Sequence, residues 1–401
     1  MFRKYNKIIV FISIIVAIFY FRIVTVEEEL FSEIKGVTNV LLLENIKNDP
    51  LLLKKREKDI KLISESERKD DNIRQPTRKE ISYLRITKYP HYKSKDKFRI
   101  CFGSCNVSPK NRSIWQNISS YQPDLWIFLG DNYYNDYNLV KDEWIIDNES
   151  IITNHFEVIN QMKDNISFKK FLKEHKYLAI WDDHDYYKNN SDFNVNPELQ
   201  DLLKKSFLNF FKVPKSDIRY ERNGIYTYYD LEINGVNMVR FFLLDIRTNK
   251  SNLDILGKEQ WTWLEENLKN SPADINFLIS GTVFIGKKDI DYESWEKTGW
   301  SFKKLEELLR INNIKNVILI SGDIHQGRTV IRNHLIEFTS SSLTSKIFKD
   351  EIIIDSHTSL TKNNFGFIDI DYSNLDTPVF TGGLINFNDG KNSHLIKFEA
   401  K

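Results

Sequence analysis

The chain has 401 residues, 41% of them hydrophobic and 13% aromatic, which is enough for one large domain or two smaller ones with a substantial core. Its formal net charge of +1 argues against nucleic acid as a main partner, because nucleic-acid-binding domains are usually basic. With only two cysteines, Cys101 and Cys105, a disulfide scaffold is excluded, although secretion is not.

The N-terminal segment, residues 1–26, has the charge and hydropathy pattern of a membrane-targeting sequence. Basic residues precede a largely apolar run from Ile8 to Val26, and the glutamates of 27–29 follow it. The run approaches the ~20 residues that span a bilayer, and no small-residue cleavage site follows it. We interpret it as a signal-anchor, with a cleaved signal peptide as the alternative. The charge asymmetry predicts that the rest of the chain lies on the exoplasmic or luminal side, or is secreted after cleavage.

Residues 27–95 are rich in charges of both signs, which predicts a stalk or linker between the anchor and a folded domain. Apolar patches such as Val40–Leu43 could dock on that domain, and a disordered tether is the alternative. We predict the folded domain from residue 96 to 401.

From residue 98 onward, short apolar runs repeatedly end in residues that bind metals or anions. The runs FRICF, DLWIFL, YLAIW, VRFFLL and VILIS have the composition of strands buried on both faces. Helical spacing of apolar residues occurs between them, at 155–175, 198–212, 257–270 and 301–313. Asn234-Gly235 indicates a hairpin turn, and further strands follow near the C-terminus. The alternation predicts an α/β fold with a mixed sheet or two sheets.

We expect the residues that follow these runs to meet in one crevice, because ligands bind beyond the carboxyl ends of the strands in open α/β sheets. Singly, each has an ordinary explanation as a turn former, a helix cap, a structural histidine or a packed thiol. Their recurrence argues for a common site, and neighbouring buried carboxylates require a compensating cation. The set consists of Cys105, Asp131, Tyr134, Asp182, Asp183, His184, Asp245, Arg247, Asp323 and His325.

Six motifs, taken together and in this order, resemble the alkaline phosphatase D (PhoD-like) family of metallophosphatases over about residues 98–375. They are FGSCN, PDLWIFLGDNYY, WDDHDYYKNN, LLDIRTN, LGKEQWTWLEENLKNSPAD and ISGDIHQGR. The resemblance implies a four-layer α/β/β/α sandwich with a dinuclear metal centre that hydrolyses phosphate esters. Because each motif is short, the combination carries the resemblance and no single motif does.

The resemblance also implies roles for individual residues. Asp131 would bridge the two metal ions, and Cys105 and Tyr134 would be ligands of the more tightly held ion. His184 would act as an acid or hydrogen-bond donor, and the phosphate would be bound by Arg247, with Asn106 as a further substrate contact. The remaining metal ligands implied are Asp183, Asp323 and His325, with Asn189 as a further candidate.

The chemistry of these donors indicates which metals to expect. A thiolate and a phenolate on one ion suit ferric iron, and a site of carboxylate and amide oxygens suits calcium, magnesium or manganese, with zinc as a further divalent candidate. The alternative is that Tyr134 is a rim aromatic and Cys105 a packed thiol.

We therefore expect a membrane-tethered or secreted phosphate ester hydrolase whose protein partners the sequence does not identify. A phosphodiesterase or phospholipase-type activity on the same centre and an inactive, metal-stabilised binding module are the alternatives. Asn-X-Ser sequons predict a glycoprotein, and they occur at Asn106, Asn111, Asn117, Asn148, Asn165, Asn189 and Asn249.

Overall fold

The computed structural model of the chain describes residues 83–86, 96–233, 236–286, 292–347, 356–387 and 395–399. These residues all belong to one compact unit, Gln75–Lys401. The predicted signal-anchor, most of the predicted stalk and the Asn234-Gly235 turn lie outside the described residues. Within the described ranges, no helix combines the length and the hydropathy needed to cross a membrane.

The helices agree with the apolar spacing of the sequence, except at one place. The predicted helix 155–175 is two helices, broken at Asn165. The described helices are α1 (Ser113–Ser120), α2 (Asn148–Asp164), α3 (Ile166–Glu174), α4 (Asp183–Tyr186), α5 (Pro197–Phe210), α6 (Gly257–Lys269) and α7 (Ser301–Ile311).

Asn165 breaks the helix because its side chain caps the second helix. Its Oδ1 accepts hydrogen bonds from the backbone N–H groups of Ser167 and Phe168, at 3.0 and 3.2 Å. Its Nδ2 donates to the carbonyl oxygens of Pro109 and Asn111, and the residue is buried. The amide therefore has no room for a glycan in the folded chain, so glycosylation at this sequon is not compatible with the structure.

Two seven-stranded mixed sheets form the centre of the fold. In spatial order, the first contains β1 (Tyr83–Ile86), β16 (Leu395–Glu399), β15 (Val379–Asn386), β14 (Asn364–Asp371), β2 (Lys97–Gly103), β3 (Leu125–Leu129) and β6 (Lys176–Ile180). The second contains β13 (Ser356–Leu360), β11 (Gly327–Arg332), β12 (Leu335–Thr339), β10 (Val317–Ser321), β9 (Ile275–Ile279), β8 (Val236–Leu243) and β7 (Thr227–Ile233). A separate small hairpin joins β4 (Tyr137–Asn138) and β5 (Glu143–Trp144).

All the apolar runs that preceded metal-binding residue types are strands. β2, β3 and β6 are parallel neighbours in the first sheet, and β8, β9, β10 and β12 are parallel neighbours in the second. β1 lies within the segment predicted as stalk, yet it pairs with β16, so the folded unit takes in part of that segment. Four residues of unremarkable composition carry too little periodicity to reveal such a strand.

Strand alternation divides the apolar residues between a central core and two outer layers. Ile127 and Leu129 of β3 face a core shared with Phe241 and Leu243 of β8, so the two sheets pack against each other. Phe242 points the other way and packs with residues of α6 and α7. The predicted α/β fold with mixed sheets is confirmed.

The outer face of the first sheet is covered by an aromatic cluster that joins β3 to α1 and α3. Trp126 and Phe128 of β3 contact Trp115 of α1, and the Phe168 ring of α3 lies 4.8 Å from the Trp115 ring. Phe168 is 1% exposed. This cluster holds the helix layer on the sheet that carries several of the site loops.

We expect Phe168→Ala to lower the free energy of unfolding by about 3–5 kcal/mol, because it leaves a cavity among packed rings. Phe193→Ala is the matched control, since Phe193 is 43% exposed, and it should change the stability by about 1 kcal/mol or less. Urea unfolding followed by tryptophan fluorescence measures both changes. Equal effects of the two substitutions would show that the cluster does not hold this layer.

Candidate metal centre and active site

The candidate site lies where strands of both sheets end. Cys105 follows β2, Asp131 follows β3, and Asp182 and Asp183 follow β6. From the second sheet, β10 leads to Asp323 and His325. Residues from both sheets therefore meet at one place, as the sequence predicted.

The backbone at the site adopts a conformation that side chains normally disfavour. Cys105 (φ 61°), Asp131 (φ 49°), Asp323 (φ 75°) and His325 (φ 52°) all lie in the left-handed region. Such a conformation costs about 1–3 kcal/mol per residue and persists only where the surrounding structure imposes it. Its occurrence at these four ligand-type residues supports a functional rather than a structural reason for the turns.

Gly130 lets the loop of Asp131 approach the loop of Asp182 closely. The φ of Gly130 is 92°, and a Cβ atom there would lie 2.5 Å from the Cβ of Asp182. Only glycine satisfies both the dihedral angle and this contact.

The first group of donor atoms combines sulfur, carboxylate, phenol and imidazole. Cys105, Asp131 and His325 form a set whose ligand atoms all lie within 4.8 Å of one another. The Sγ of Cys105 is 3.4 Å from Oδ2 of Asp131. The Oη of Tyr134 lies 3.2 Å from the same oxygen and 3.3 Å from Nε2 of His325, so the phenol belongs to this group.

Two further groups consist mainly of carboxylates, and both include Asp131. One contains Asp183 and His184, and the other contains Asp182 and Asp323. Asp131 is therefore the residue common to all three groups, which is the position that a bridging ligand must occupy.

The electrostatics of the centre favour a bound cation. Burial, with the neighbouring charges of Cys105 and Asp183, raises the pKa of Asp131 well above its ordinary value. Burial and Asp183 likewise raise the pKa of Asp323 to about 6, and burial raises that of Cys105 to about 11. A metal ion stabilises the anionic forms of all these groups, so the donor set fits metal ions both in charge and in chemistry.

His184 is held in a defined orientation by Asp136. Its Nδ1 donates a 2.7 Å hydrogen bond to Oδ1 of Asp136, and its ring stacks on that of Tyr134 at 4.1 Å between centroids. Burial opposes protonation of the imidazole, but the carboxylates of Asp183, Asp131 and Asp136 outweigh it and raise the pKa of His184 well above its usual value. With Nδ1 engaged by Asp136, Nε2 is the ring nitrogen available to a ligand.

Arg247 is fully buried and paired with carboxylates. Its Nε lies 2.5 Å from Oδ1 of Asp182, its Nη1 lies 2.6 Å from Oε2 of Glu293, and its Nη2 lies 3.8 Å from Oδ1 of Asp183. Lys250 also contacts Glu293. The guanidinium therefore reaches the centre by way of Asp182 and Asp183, and its contact with phosphate stays a prediction.

The two asparagines named from the sequence lie differently from the other candidates. Asn106 is buried, with Nδ2 donating to the Asn132 carbonyl and Oδ1 accepting from Thr344, both at 3.1 Å. Asn189 is exposed, and its backbone N–H donates to Oδ2 of Asp136 at 2.7 Å. The roles of Asn106 in substrate binding and of Asn189 in metal binding stay predictions.

Sequence reasoning missed several residues that position the site. Asp136 orients His184, Thr282 donates a hydrogen bond to Asp323, and Ser341 accepts one from the backbone N–H of His325 at 2.7 Å. Thr282 follows β9 in the run INFLISGT, so it obeys the strand-end rule without being a metal-ligand type. Asp136 lies five residues after Asp131 in the same loop, which is the one available signal for it.

Comparison with known proteins identifies the family of the chain. The model of the PhoD-like phosphatase family matches residues 100–374. Alkaline phosphatase D of Bacillus subtilis (strain 168) is 30% identical over 116 residues, which are 27% of this chain and 19% of that protein. The match thus spans about a fifth of that relative.

Solved structures share the fold. The structure of PhoD gives a TM-score of 0.58 at 17% identity, covering 76% of this chain and 69% of that one. The purple acid phosphatase PPD1 from yellow lupin (Lupinus luteus) gives 0.50 at 16% identity, covering 78% of this chain and 55% of that one. With the family match extending over most of the chain, from β2 to the strands that follow His325, this chain belongs to the PhoD-like phosphatase family.

Proposed function

We propose that the chain hydrolyses phosphate esters in a metal-dependent reaction at a dinuclear centre built around Asp131. The main support for this proposal is that the Asp131 carboxylate belongs to every candidate metal-binding group of the described residues. Membership of the PhoD-like phosphatase family supports the same reaction class.

The donor types divide naturally between two ions. Cys105, Tyr134 and His325 would hold ferric iron together with Asp131, and Asp183 and Asp323 would hold a divalent ion, namely calcium, manganese, magnesium or zinc. Bound ions would supply positive charge that polarises the phosphoryl group and lowers the pKa of a water molecule. Asp182 belongs to the oxygen-rich side, where Arg247 fixes its orientation.

The residues of the chain orient the reactants and move protons. In hydrolysis, a water oxygen bonds to phosphorus, the ester P–O bond breaks, and the departing alcohol oxygen gains a proton. His184 would donate that proton from Nε2, since Asp136 accepts the hydrogen bond from Nδ1.

For Arg247, phosphate binding would require the substrate to replace one of its carboxylate partners. Glu293 is the candidate for exchange, since its side chain is 21% exposed whereas that of Asp182 is 1% exposed. Until such an exchange, Arg247 acts as a positioning residue for Asp182 and Asp183.

The ester class and the location of the protein are parts of the same proposal. A phosphodiesterase or phospholipase-type hydrolase could use the same centre, because metals and an arginine do not by themselves select monoesters. We propose that the N-terminal segment tethers the domain to a membrane on its exoplasmic side, on the basis of its charge pattern alone.

We expect Asp131→Ala to lose both metal ions and to reduce hydrolysis by at least about 10²–10³-fold, because it removes the shared ligand. Asp201→Ala, on the surface of α5, is the matched control and should keep metal content and rate. Elemental analysis and assays with 4-nitrophenyl phosphate and bis(4-nitrophenyl) phosphate measure these effects and compare monoester with diester. A folded Asp131→Ala protein that keeps its metals and turnover would contradict the bridging role, and a metal-loaded wild type without turnover would favour the inactive binding module.

If one ion is ferric iron, the purified protein should be coloured by charge transfer from the phenolate and thiolate. Tyr134→Phe should bleach or shift the visible band. Tyr133→Phe is the matched control, because the neighbouring Tyr133 is also buried and its hydroxyl has no hydrogen-bond partner among the described residues. A colourless, fully active preparation that contains only divalent metals would show that the iron assignment is wrong.

We expect Asp136→Asn to reduce kcat by about 10²–10⁴-fold with unchanged metal content, because an amide in place of the carboxylate no longer enforces the Nδ1–H tautomer of His184. Asp142→Asn is the control: Asp142 is exposed and lies between β4 and β5, in the hairpin that follows Asp136, and the substitution should leave kcat unchanged. Steady-state kinetics with metal analysis separates loss of orientation from loss of metal. A normal kcat in Asp136→Asn would show that His184 needs no such orientation.

A further inference from the structure

Beside His184 the described residues form an open hollow of about 440 Å³. This volume lies within the range of small-molecule binding sites. The hollow adjoins the candidate active site, because Asp136 belongs both to the hollow and to the hydrogen bond that orients His184. Its lining consists of Asp136, Trp144, Ile145, Ile146, Lys188 and Asn189.

One wall of the hollow is apolar and open to solvent. Trp144 is 54% exposed and Ile146 is 85% exposed, which is unusual for such large apolar side chains. The Trp144 ring lies 5.4 Å from the His184 ring between centroids, at an interplanar angle of 22°. The wall is fixed in place, since the backbone N–H of Ile145 donates to the Asp136 carbonyl at 2.7 Å. A fixed apolar wall at a reacting histidine is suited to contact a ligand.

The lining of the hollow also offers positive charge. Within the described residues, Lys188 forms no ion pair, and its Nζ lies 5.1 Å from the centroid of the Tyr187 ring. The acid that lines the hollow, Asp136, has one oxygen bonded to His184 Nδ1 and the other to the Asn189 N–H, each at 2.7 Å. The charge of Lys188 is therefore available to an anionic group of a ligand.

We propose that this hollow binds the alcohol portion of the phosphate ester and selects a flat aromatic alcohol that carries an anionic substituent. The inference rests on the proposed function, because it takes the phosphate to lie at the adjoining metal centre. The aromatic ring would stack on Trp144 and contact Ile146, and the anion would pair with Lys188. The departing alcohol oxygen would then lie on the side of His184.

The test uses the metal-loaded full chain and phosphate monoesters of primary alcohols, whose leaving groups are similar in basicity. Cyclohexylmethyl phosphate, benzyl phosphate and 4-carboxybenzyl phosphate differ in flatness and in charge. We expect kcat/KM to rise by about threefold to tenfold at each step along this series, from aromatic stacking and then from the pairing with lysine.

Two substitutions separate the two contacts. Trp144→Leu should abolish the preference for benzyl over cyclohexylmethyl phosphate, and Trp144→Phe should restore most of it. Lys188→Gln should abolish only the preference for the carboxylated substrate. Lys141→Gln is the matched control, because Lys141 lies on the β4–β5 hairpin that carries Trp144 but outside the hollow, with its side chain 67% exposed. This substitution should change neither ratio.

The outcomes distinguish the subsite from the proposed function. Metal-dependent hydrolysis with equal kcat/KM for all three substrates, or with ratios that neither substitution alters, overturns the subsite and leaves the hydrolase intact. If none of the esters is hydrolysed, the proposed function fails, and binding of 4-carboxybenzylphosphonate then decides the subsite by calorimetry. Binding that weakens by at least about threefold in both Trp144→Leu and Lys188→Gln supports it, and unchanged binding overturns it.

Discussion

Repulsion among buried carboxylates around Asp131 is the constraint on which the rest of the site depends. Asp131, Asp182 and Asp183 are buried and Asp323 is half-buried, and these carboxylates lie close together, where each anion raises the free energy of its neighbours. Arg247, which pairs with Asp182 and Asp183, offsets part of this cost, as do the hydrogen bonds from Thr282 to Asp323 and from the backbone to Asp183. Bound metal ions would offset the remainder, and the sulfur, phenol and imidazole donors that accompany Asp131 suit metals in chemistry as well as in charge.

The surrounding structure keeps these groups together although they repel one another. Parallel strands end at the same edge of each sheet, so the loops that follow them lie side by side there. Arg247 donates a hydrogen bond to Asp182 and so fixes the position of this carboxylate. Gly130 allows the loop of Asp131 to contact the loop of Asp182. The left-handed backbone conformation at the ligand-type residues also costs free energy, which the packing of the sheets offsets.

Much of this arrangement could be predicted from the sequence, because the strands are continuous apolar runs and most site residues follow directly after them. What could not be predicted depends on tertiary partners. The sequence around Arg247 does not reveal that its side chain pairs with Asp182 and Glu293. Likewise, Asn165 lies inside a helical pattern of apolar residues, and that pattern does not reveal that its side chain caps a second helix. The strand Tyr83–Ile86 is recognisable only through its partner β16. The anchor, the metals and the compartment stay predictions.

The division of the centre between the two sheets also bears on how the chain reaches its native state. Tyr134 and His325, whose side chains meet at 3.3 Å, are 191 residues apart along the chain. Contacts of such long sequence separation form late and slowly, because a large loop must close before they gain anything. The first sheet supplies Cys105, Asp131 and Tyr134 and the second supplies His325, so a metal ion would find the complete donor group only after the two sheets have docked. Bound ions would then stabilise only the chain in which the two sheets have docked. A chain that stops folding before docking would expose the thiol of Cys105 and the clustered aspartates to solvent.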